Sequence, residues 1–276
     1  MKIVKHSGDI VDFEPEKLKK SLLKSGASLA IVEDILNQIS KEIYEGISTK
    51  QIYKKAFSLL KKEANSHAAR YNLRSALQLL GPAGFFFEKY VARLFAEEGH
   101  QTITNLTLQG KCVSHEIDVL VQKNDIISMI ECKFHAGREA ASDVKVPLYI
   151  FSRYNDIQGR HHKIFSKKDF VTQCWIATNN RFTSDAIDFA QCTGMKLLSW
   201  DYPENDSLKI KNDVDCLYPV TCLTTLSHAE KDKLLFSDVI LAKELANYSE
   251  PLERIGLSAN RIKKVMKEVV ELCKCY

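Results

Sequence analysis

The chain of 276 residues is long enough for two compact domains, and its composition, 45% hydrophobic and 27% charged, is that of a globular protein. No apolar run reaches the roughly 20 residues of a membrane helix, and the first residues lack the apolar stretch of a signal peptide. We therefore expect a cytoplasmic protein with no membrane partner. The net charge of +4 does not by itself indicate a nucleic-acid partner, but residues 1–80 carry 14 Lys and Arg against 9 Asp and Glu. This local excess favours a phosphate-bearing ligand at the N-terminal end.

The eight cysteines include no Cys-x-x-Cys pair, and several lie in apolar, strand-like runs such as Gln173-Cys174-Trp175-Ile176. In a reducing compartment, residues in that setting are free thiols rather than disulfides or zinc ligands. We expect buried free thiols.

The first segment predicts a β-hairpin followed by helices. Residues 2–5 and 10–13 are short strand-like runs, and Gly8 between them permits the turn. Apolar residues then recur at helical spacing, Ser48 or Thr49 can cap one of the helices, and a last helix is expected from Ala68 to Leu80. Gly81-Pro82-Ala83-Gly84 marks a boundary, so residues 1–82 are predicted to form a small, mostly α-helical domain with a short β-hairpin.

This segment resembles the ATP-cone, a nucleotide-sensing regulatory domain. The residues that carry the resemblance are Val4-Lys5-His6-Ser7-Gly8, Val11-Asp12-Phe13 with Lys17, and Ala69-Arg70-Tyr71-Asn72-Leu73-Arg74. The resemblance implies that ATP or dATP binds at Lys5, His6, Gly8 and Lys17, with His6 standing where the family usually has arginine. Because the chain has no Walker-type glycine-rich lysine loop, we expect the nucleotide to be sensed rather than hydrolysed.

The middle of the chain predicts an α/β domain over residues 83–210. An amphipathic helix at 85–98 precedes strand-like runs at 115–121, 126–133, 171–177 and 195–199. A helix from Ser184 to about Gly194 joins the last two runs, which makes them a parallel crossover pair in a mixed sheet. Residues 211–276 are predicted to be a short helical tail, with helices at 231–245 and 252–273.

The chemistry-bearing residues lie on a predicted hairpin around Asn124-Asp125. If these two residues form the turn, paired residues have numbers that sum to 249, which places Asp118 opposite Glu131. Opposed carboxylates repel each other, and a divalent cation such as Mg²⁺ or Mn²⁺ would remove that repulsion. Lys133 emerges on the same face as Glu131, so the set suits phosphodiester hydrolysis. The alternative is a solvated hairpin face with scattered charges.

Ordered motifs across residues 85–200 resemble the PD-(D/E)xK fold of Mrr-type restriction endonucleases. They are Phe87-Glu88-Lys89-Tyr90-Val91-Ala92, Leu94-Phe95, Gly99-His100, Glu116-Ile117-Asp118-Val119-Leu120, Glu131-Cys132-Lys133, and a later crossover from Trp175 to Gly194. The resemblance implies a restriction-endonuclease-like mixed sheet flanked by helices. It also implies metal ligation at Asp118 and Glu131, a catalytic Lys133, and Glu88 as the helix carboxylate that completes the catalytic set. We also predict Cys132 as a metal ligand.

A basic, aromatic-interleaved stretch over residues 153–163 is interpreted as a DNA-binding loop. Its predicted DNA contacts are Arg153, Arg160, His161 and Lys163. The leading interpretation is a metal-dependent DNA endonuclease that is regulated by ATP or dATP and acts as a homodimer or higher oligomer. By analogy, we expect its setting to be restriction or defence. The alternatives are a nucleotide-responsive DNA-binding regulator that does not cleave, and a Holliday-junction-type resolvase.

Overall fold

The computed structural model describes residues 1–5, 7–81, 84–166, 169–246 and 248–274. The chain divides into two compact units. We call residues 1–76 together with 218–276 the terminal unit, and residues 77–217 the central unit. His6 and the Pro82-Ala83 pair of the predicted boundary lie outside the described residues. In the described part of the chain, no helix is long and apolar enough to cross a membrane.

The N-terminal part of the terminal unit contains the predicted hairpin. Strands β1 (Lys2–Val4) and β2 (Ile10–Asp12) pair antiparallel, and Gly8 in the turn has a φ of 90°, a conformation that glycine adopts at little cost. The helices that follow are α1 (Pro15–Lys24), α2 (Leu29–Glu42), α3 (Thr49–Glu63) and α4 (Asn65–Tyr71). Of the two predicted caps, Ser48 is the N-cap of α3, and it forms a capping box with Gln51.

The prediction of a single helix from Ala68 to Leu80 is wrong, because the helix is interrupted at Asn72. Helix α4 ends there and α5 (Leu73–Gln78) begins directly after it. The Asn72 side chain accepts a 2.8 Å hydrogen bond from the Tyr53 hydroxyl. Asparagine commonly ends helices because its side chain competes for local hydrogen bonds.

The central unit is built around a mixed sheet. After α5, its helices and strands follow in chain order: α6 (Phe85–Glu97), β3 (Gln101–Gln109), β4 (Ser114–Lys123), β5 (Ile126–Lys133), β6 (Ala141–Ser142), α7 (Lys145–Ile157), β7 (Gln173–Thr178), β8 (Arg181–Phe182), α8 (Ser184–Thr193), β9 (Lys196–Leu198) and α9 (Leu208–Asp215). The five-stranded sheet has the order β3-β4-β5-β7-β9. The first three strands are antiparallel, and β5, β7 and β9 are parallel. The mixed sheet and the β7–α8–β9 crossover are confirmed, whereas β3 was not predicted.

Helices flank this sheet and bury its apolar residues. One core includes Leu120, Met129 and Ile176 from the sheet, together with Ile150 of α7 and Ala186 of α8. These side chains are almost fully buried, and burial on this scale is the main favourable term in folding. The central strand β5 is therefore held on both edges by neighbouring strands, which makes it a rigid base for the residues it carries.

The C-terminal segment is helical, but the predictions of continuous helices at 231–245 and 252–273 are wrong, because each range is interrupted. It contains 3₁₀ turns at Val220–Cys222 and Ala242–Leu245, and helices α10 (His228–Phe236), α11 (Glu250–Arg254) and α12 (Ala259–Leu272). The breaks fall at Asp238 and Gly256, whose φ angles are 63° and 89°. A left-handed residue cannot continue a right-handed helix.

The same segment packs against helix α4 within the terminal unit. The Arg70 guanidinium donates to the carbonyls of Glu271, Leu272 and Lys274 at the end of α12. The Lys61 ammonium, on α3, donates to the carbonyl of Thr224 at 2.9 Å. Both ends of the chain thus contribute to one compact body.

The expectation of free thiols is correct for most of the described cysteines and wrong for one. Those with free thiols are Cys112, Cys132, Cys174, Cys192, Cys222 and Cys273. Cys216 is disulfide-bonded. Spacing along the sequence carried no sign of this bond, because a disulfide depends on which side chains the fold brings together.

Candidate functional site

The register predicted for the β4–β5 hairpin is confirmed. Lys123 pairs with Ile126 and Val119 with Ile130, so the paired numbers sum to 249 along the ladder. Asn124 in the turn has a φ of 55°, which asparagine tolerates better than most residues. The ladder ends at Val119 and Ile130, one step before Asp118 and Glu131.

Asp118 lies where β4 loses its pairing on both sides. Strand β3 pairs with β4 at Thr104 and again at Leu106, but Asn105 between them has a φ of 55° and is missing from that ladder. On the other side, the Asp118 Oδ2 accepts the backbone amide of Cys132 at 2.7 Å. A side-chain carboxylate therefore takes the place of a backbone acceptor, and the two strands separate at this end of the hairpin.

Glu131 and Lys133 lie on the same face of β5, as their spacing predicts. The Lys133 Nζ donates to the Glu131 Oε1 at 2.6 Å. Glu131 is 5% exposed, whereas the Lys133 side chain is 33% exposed. The carboxylate is thus fixed inside the protein, while the lysine side chain is partly exposed to solvent.

Negative charge is concentrated around this cluster. The pKa of Asp118 is raised to about 6, mainly by burial and also by the neighbouring Glu131 carboxylate, while the Cys132 amide, Lys133 and Arg153 partly offset the shift. Burial also raises the pKa of Glu88 to about 7, with the charges of Asp118, Glu116 and Glu131 acting in the same direction. The structure therefore brings Glu88 into electrostatic contact with the predicted site.

The start of α6 determines where Glu88 lies. Gly84 caps this helix with a φ of 84°, and a side chain built on Gly84 would lie 3.8 Å from the Glu88 Oε1. Gly81, just before it, packs so closely on the Phe134 ring that an added Cβ would lie 2.1 Å from a ring carbon. This close approach fixes the chain leading into α6 against the residue that follows Lys133.

The donor set suits a hard cation, although it is not a closed cage. Among the described residues, no three His, Cys, Asp or Glu side chains are grouped so as to hold a metal ion. Asp118, Glu131 and Glu88 offer carboxylate oxygens, and Mg²⁺ is typically bound by one or two carboxylates with water and substrate phosphate completing its shell. Burial raises the pKa of the Cys132 thiol well above its ordinary value, and thiolates suit softer metals than Mg²⁺.

The predicted DNA-binding residues fall into two structural groups. Arg153 lies in helix α7, so the loop predicted from residue 153 is wrong at its start, and its guanidinium donates to the Glu131 Oε2 at 2.6 Å. Arg160, His161 and Lys163 lie in the exposed segment after α7. The Arg160 guanidinium donates to the carbonyl of Gly110 at 3.1 Å, and the His161 ring lies 4.1 Å from the Phe170 ring.

Two buried asparagines support the segment that follows Lys133. The Asn179 side chain accepts the His135 amide and donates to the His135 carbonyl, both at 2.8 Å. The Asn180 Nδ2 donates to the carbonyls of Gly137 and Ala140. The sequence placed Asn179 next to the β7 strand but gave no sign of this role, because both partners come from a distant part of the chain.

A cavity of about 330 Å³ in the terminal unit lies beside the predicted nucleotide residues. Lys5 and Lys17 both line it, and so do Thr49, Tyr53 and Tyr71. The Tyr53 and Tyr71 rings are stacked with centroids 4.8 Å apart. Gly8 lies in the exposed hairpin turn and does not line the cavity, and His6 lies outside the described residues.

Comparison with known proteins identifies both ends of the chain. Residues 1–75 match the ATP-cone domain family, and residues 218–273 match the AF1548-like C-terminal family. An uncharacterised protein of Archaeoglobus fulgidus is 34% identical over 179 residues, which are 64% of this chain and 97% of that protein.

The chain belongs to the AF1548-like family. The crystal structure of AF1548, described as a protein of unknown function, superimposes with a TM-score of 0.56 at 33% identity, covering 68% of this chain and 97% of that one. In this AF1548-like protein, both matched ranges fall in the terminal unit. Along the sequence, Asp118, Glu131 and Lys133 fall between the two matched ranges, and they belong to the central unit. The ATP-cone match supports a nucleotide as ligand of the terminal unit.

Proposed function

We propose that the central unit is a PD-(D/E)xK-type, metal-dependent DNA endonuclease. The observation that carries the proposal is the cluster at the open end of the β4–β5 hairpin: Lys133 is bonded to Glu131 at 2.6 Å, and Asp118 is bonded to the Cys132 amide at 2.7 Å. Two carboxylates and one lysine at the end of two adjacent strands suit metal-assisted hydrolysis of a phosphodiester.

The roles follow from burial and position. Asp118 and Glu131 would hold Mg²⁺ or Mn²⁺, which supplies Lewis-acid stabilisation of the charge on the scissile phosphate. Lys133, the more exposed member of the set, would contact a phosphate oxygen and offset the negative charge that develops there. Glu88, whose pKa of about 7 lets it exchange a proton near neutral pH, would orient the attacking water. A two-fold homodimer would present one such site to each DNA strand, and we infer this assembly.

We propose further that ATP or dATP binds in the cavity of the terminal unit and regulates cleavage. Lys5 and Lys17 would contact the phosphates, because both residues line the same cavity. The stacked Tyr53 and Tyr71 rings offer an aromatic surface to the base. A cavity of about 330 Å³ lies at the lower end of the range for small-molecule sites, roughly 300–1,000 Å³.

The nuclease proposal is tested by incubating the purified protein with plasmid DNA and Mg²⁺ or Mn²⁺, with and without ATP. We expect metal-dependent cutting that falls about 100- to 1,000-fold in Lys133→Ala, because a charged donor placed at the developing negative charge contributes on that scale to transition-state stabilisation. Lys123→Ala is the matched control, since Lys123 ends β4 at the other end of the same hairpin.

The same experiment separates the alternatives. If the protein binds DNA but cuts no plain, methylated or branched substrate, the nuclease proposal fails and a nucleotide-responsive DNA-binding regulator is favoured. Cutting confined to four-way junctions would identify a resolvase. Equal loss of cutting in Lys123→Ala and Lys133→Ala would remove Lys133 from the active site.

A further inference from the structure

Arg153 connects helix α7 to both strands of the proposed active site. Its Nη1 donates to the Glu131 Oε2 at 2.6 Å, and its Nη2 donates to the carbonyl of Glu116. Glu116 belongs to β4 and Glu131 to β5. The guanidinium therefore spans the two strands beyond Val119 and Ile130, where their own ladder has ended.

The helix that carries Arg153 is anchored to β4 close by. One turn further along α7, the Asp156 carboxylate accepts a hydrogen bond from the His115 Nε2 at 2.8 Å. It also accepts hydrogen bonds from the backbone amides of Cys112 and Val113, at 2.8 and 3.2 Å. These bonds fix the helix along the strand, so Arg153 reaches Glu131 from a rigid support. Side chains of active sites are held most accurately by such elements.

Glu131 has two ionic partners, and they differ in their freedom to leave. Lys133 binds the Oε1 with a side chain that is 33% exposed, whereas Arg153 binds the Oε2 with a side chain that is 13% exposed. A phosphate that approaches from solvent therefore reaches Lys133 first. Glu131 itself is 5% exposed, and a buried carboxylate that loses its partners is costly.

We propose that Arg153 is a positioning residue of this site. It fixes the Glu131 carboxylate through the Oε2 and so leaves Lys133 free to contact the phosphodiester. The inference rests on the proposed nuclease function. Arginine suits the role because its planar fork binds two acceptors from two strands at once. Lysine, with donors on one atom, cannot span them in the same way.

The test compares Arg153→Met and Arg153→Lys with the parent protein. If Arg153 positions Glu131, kcat for plasmid cleavage falls at least about 100-fold in Arg153→Met while KM for DNA stays within about twofold, and Arg153→Lys recovers only part of the rate. If Arg153 instead contacts a DNA phosphate, KM rises, kcat is kept, and the slope of log affinity against log salt falls by about 1. That outcome would overturn the proposal.

A second measurement does not depend on cleavage. Chemical denaturation of Arg153→Met, Glu131→Gln and the double variant, in EDTA, measures the coupling between the two side chains. We expect Arg153→Met to lower the unfolding midpoint and the double variant to recover most of the loss. Additive effects would overturn the proposal whether or not the parent protein cuts DNA.

Arg254→Met is the matched control for both measurements. Arg254 is paired with Glu250 at 2.7 Å, but its side chain is 71% exposed. Because exposed ion pairs contribute little to stability, this variant should keep the parent midpoint and the parent kcat. If the parent protein fails to cut any DNA while the coupling between Arg153 and Glu131 is present, the nuclease proposal fails and the contact that fixes Glu131 stands.

Discussion

Asp118 shows how a single side chain can carry a cost for folding. It is half-buried on β4, just beyond the last pair of the β4–β5 ladder. The Glu131 carboxylate is close by, and the pKa of Asp118 is raised to about 6. In the unfolded chain an aspartate ionises near pH 4, so the folded state binds the proton more tightly. Ionised Asp118 therefore lowers stability as pH rises through this interval.

We expect Asp118→Asn to stabilise the protein in the absence of divalent cations. Removing the charge at pH 8 should raise the melting temperature by roughly 2–6 °C, since a shift of this size corresponds to about 1–3 kcal/mol. The amide oxygen can still accept the Cys132 N–H. Thermal denaturation in EDTA checks the prediction, and the gain should shrink at pH 5, where Asp118 is largely protonated.

Asp125→Asn is the matched control for this charge removal, because Asp125 is an exposed residue of the turn in the same hairpin. It should leave the melting temperature within about 1 °C. An equal or lower melting temperature for Asp118→Asn at pH 8 would show that its charge is not a burden in the folded state.

At the scale of elements, helix α4 joins the proposed nucleotide cavity to the C-terminal segment. Tyr71, at its end, lines the cavity and stacks on Tyr53. Arg70, directly before it, donates to the carbonyls of Glu271, Leu272 and Lys274. A ligand that orders Tyr71 should therefore also order the end of α12.

We predict that ATP slows amide hydrogen exchange in the last turn of α12, and that Arg70→Met removes this protection at saturating ATP. Local opening free energies determine such exchange, and mass spectrometry measures it peptide by peptide. Helix α8, which lies in the central unit, provides the reference peptide. Unchanged protection in Arg70→Met would show that Arg70 does not transmit the effect.

At the scale of the whole molecule, the terminal unit is assembled from both ends of the chain, and the proposed nuclease residues lie in the segment between them. A ligand that binds only the folded terminal unit stabilises that unit by mass action. The nucleotide and nuclease proposals can therefore be tested separately.

We expect ATP at about 100 times its Kd to stabilise the transition of the terminal unit by about 2.7 kcal/mol, as mass action requires. Differential scanning calorimetry measures the shift. Lys5→Ala combined with Lys17→Ala should abolish it, because both residues line the cavity, whereas Lys133→Ala should keep it. A shift that survives the double substitution would place the nucleotide elsewhere.

The sequence by itself determined those features that depend on local pattern. The β4–β5 register followed from an Asn-Asp turn and the period of two in a strand, and it placed Asp118, Glu131 and Lys133 together. The first hairpin, a cap at Ser48 or Thr49, and the β7–α8–β9 crossover followed from equally local signals. The resemblance of residues 1–80 to the ATP-cone was confirmed because its motifs are themselves local.

Only the tertiary structure decided what depends on distant partners. The bonds from Arg153 to Glu131, from Asn179 to His135 and from Arg70 to the end of α12 join residues 22, 44 and about 200 positions apart. The helix break at Asn72, whose side chain accepts a hydrogen bond from the Tyr53 hydroxyl, was likewise missing from the prediction. Periodicity reports which face of an element is buried, and it carries no information about which other element covers that face.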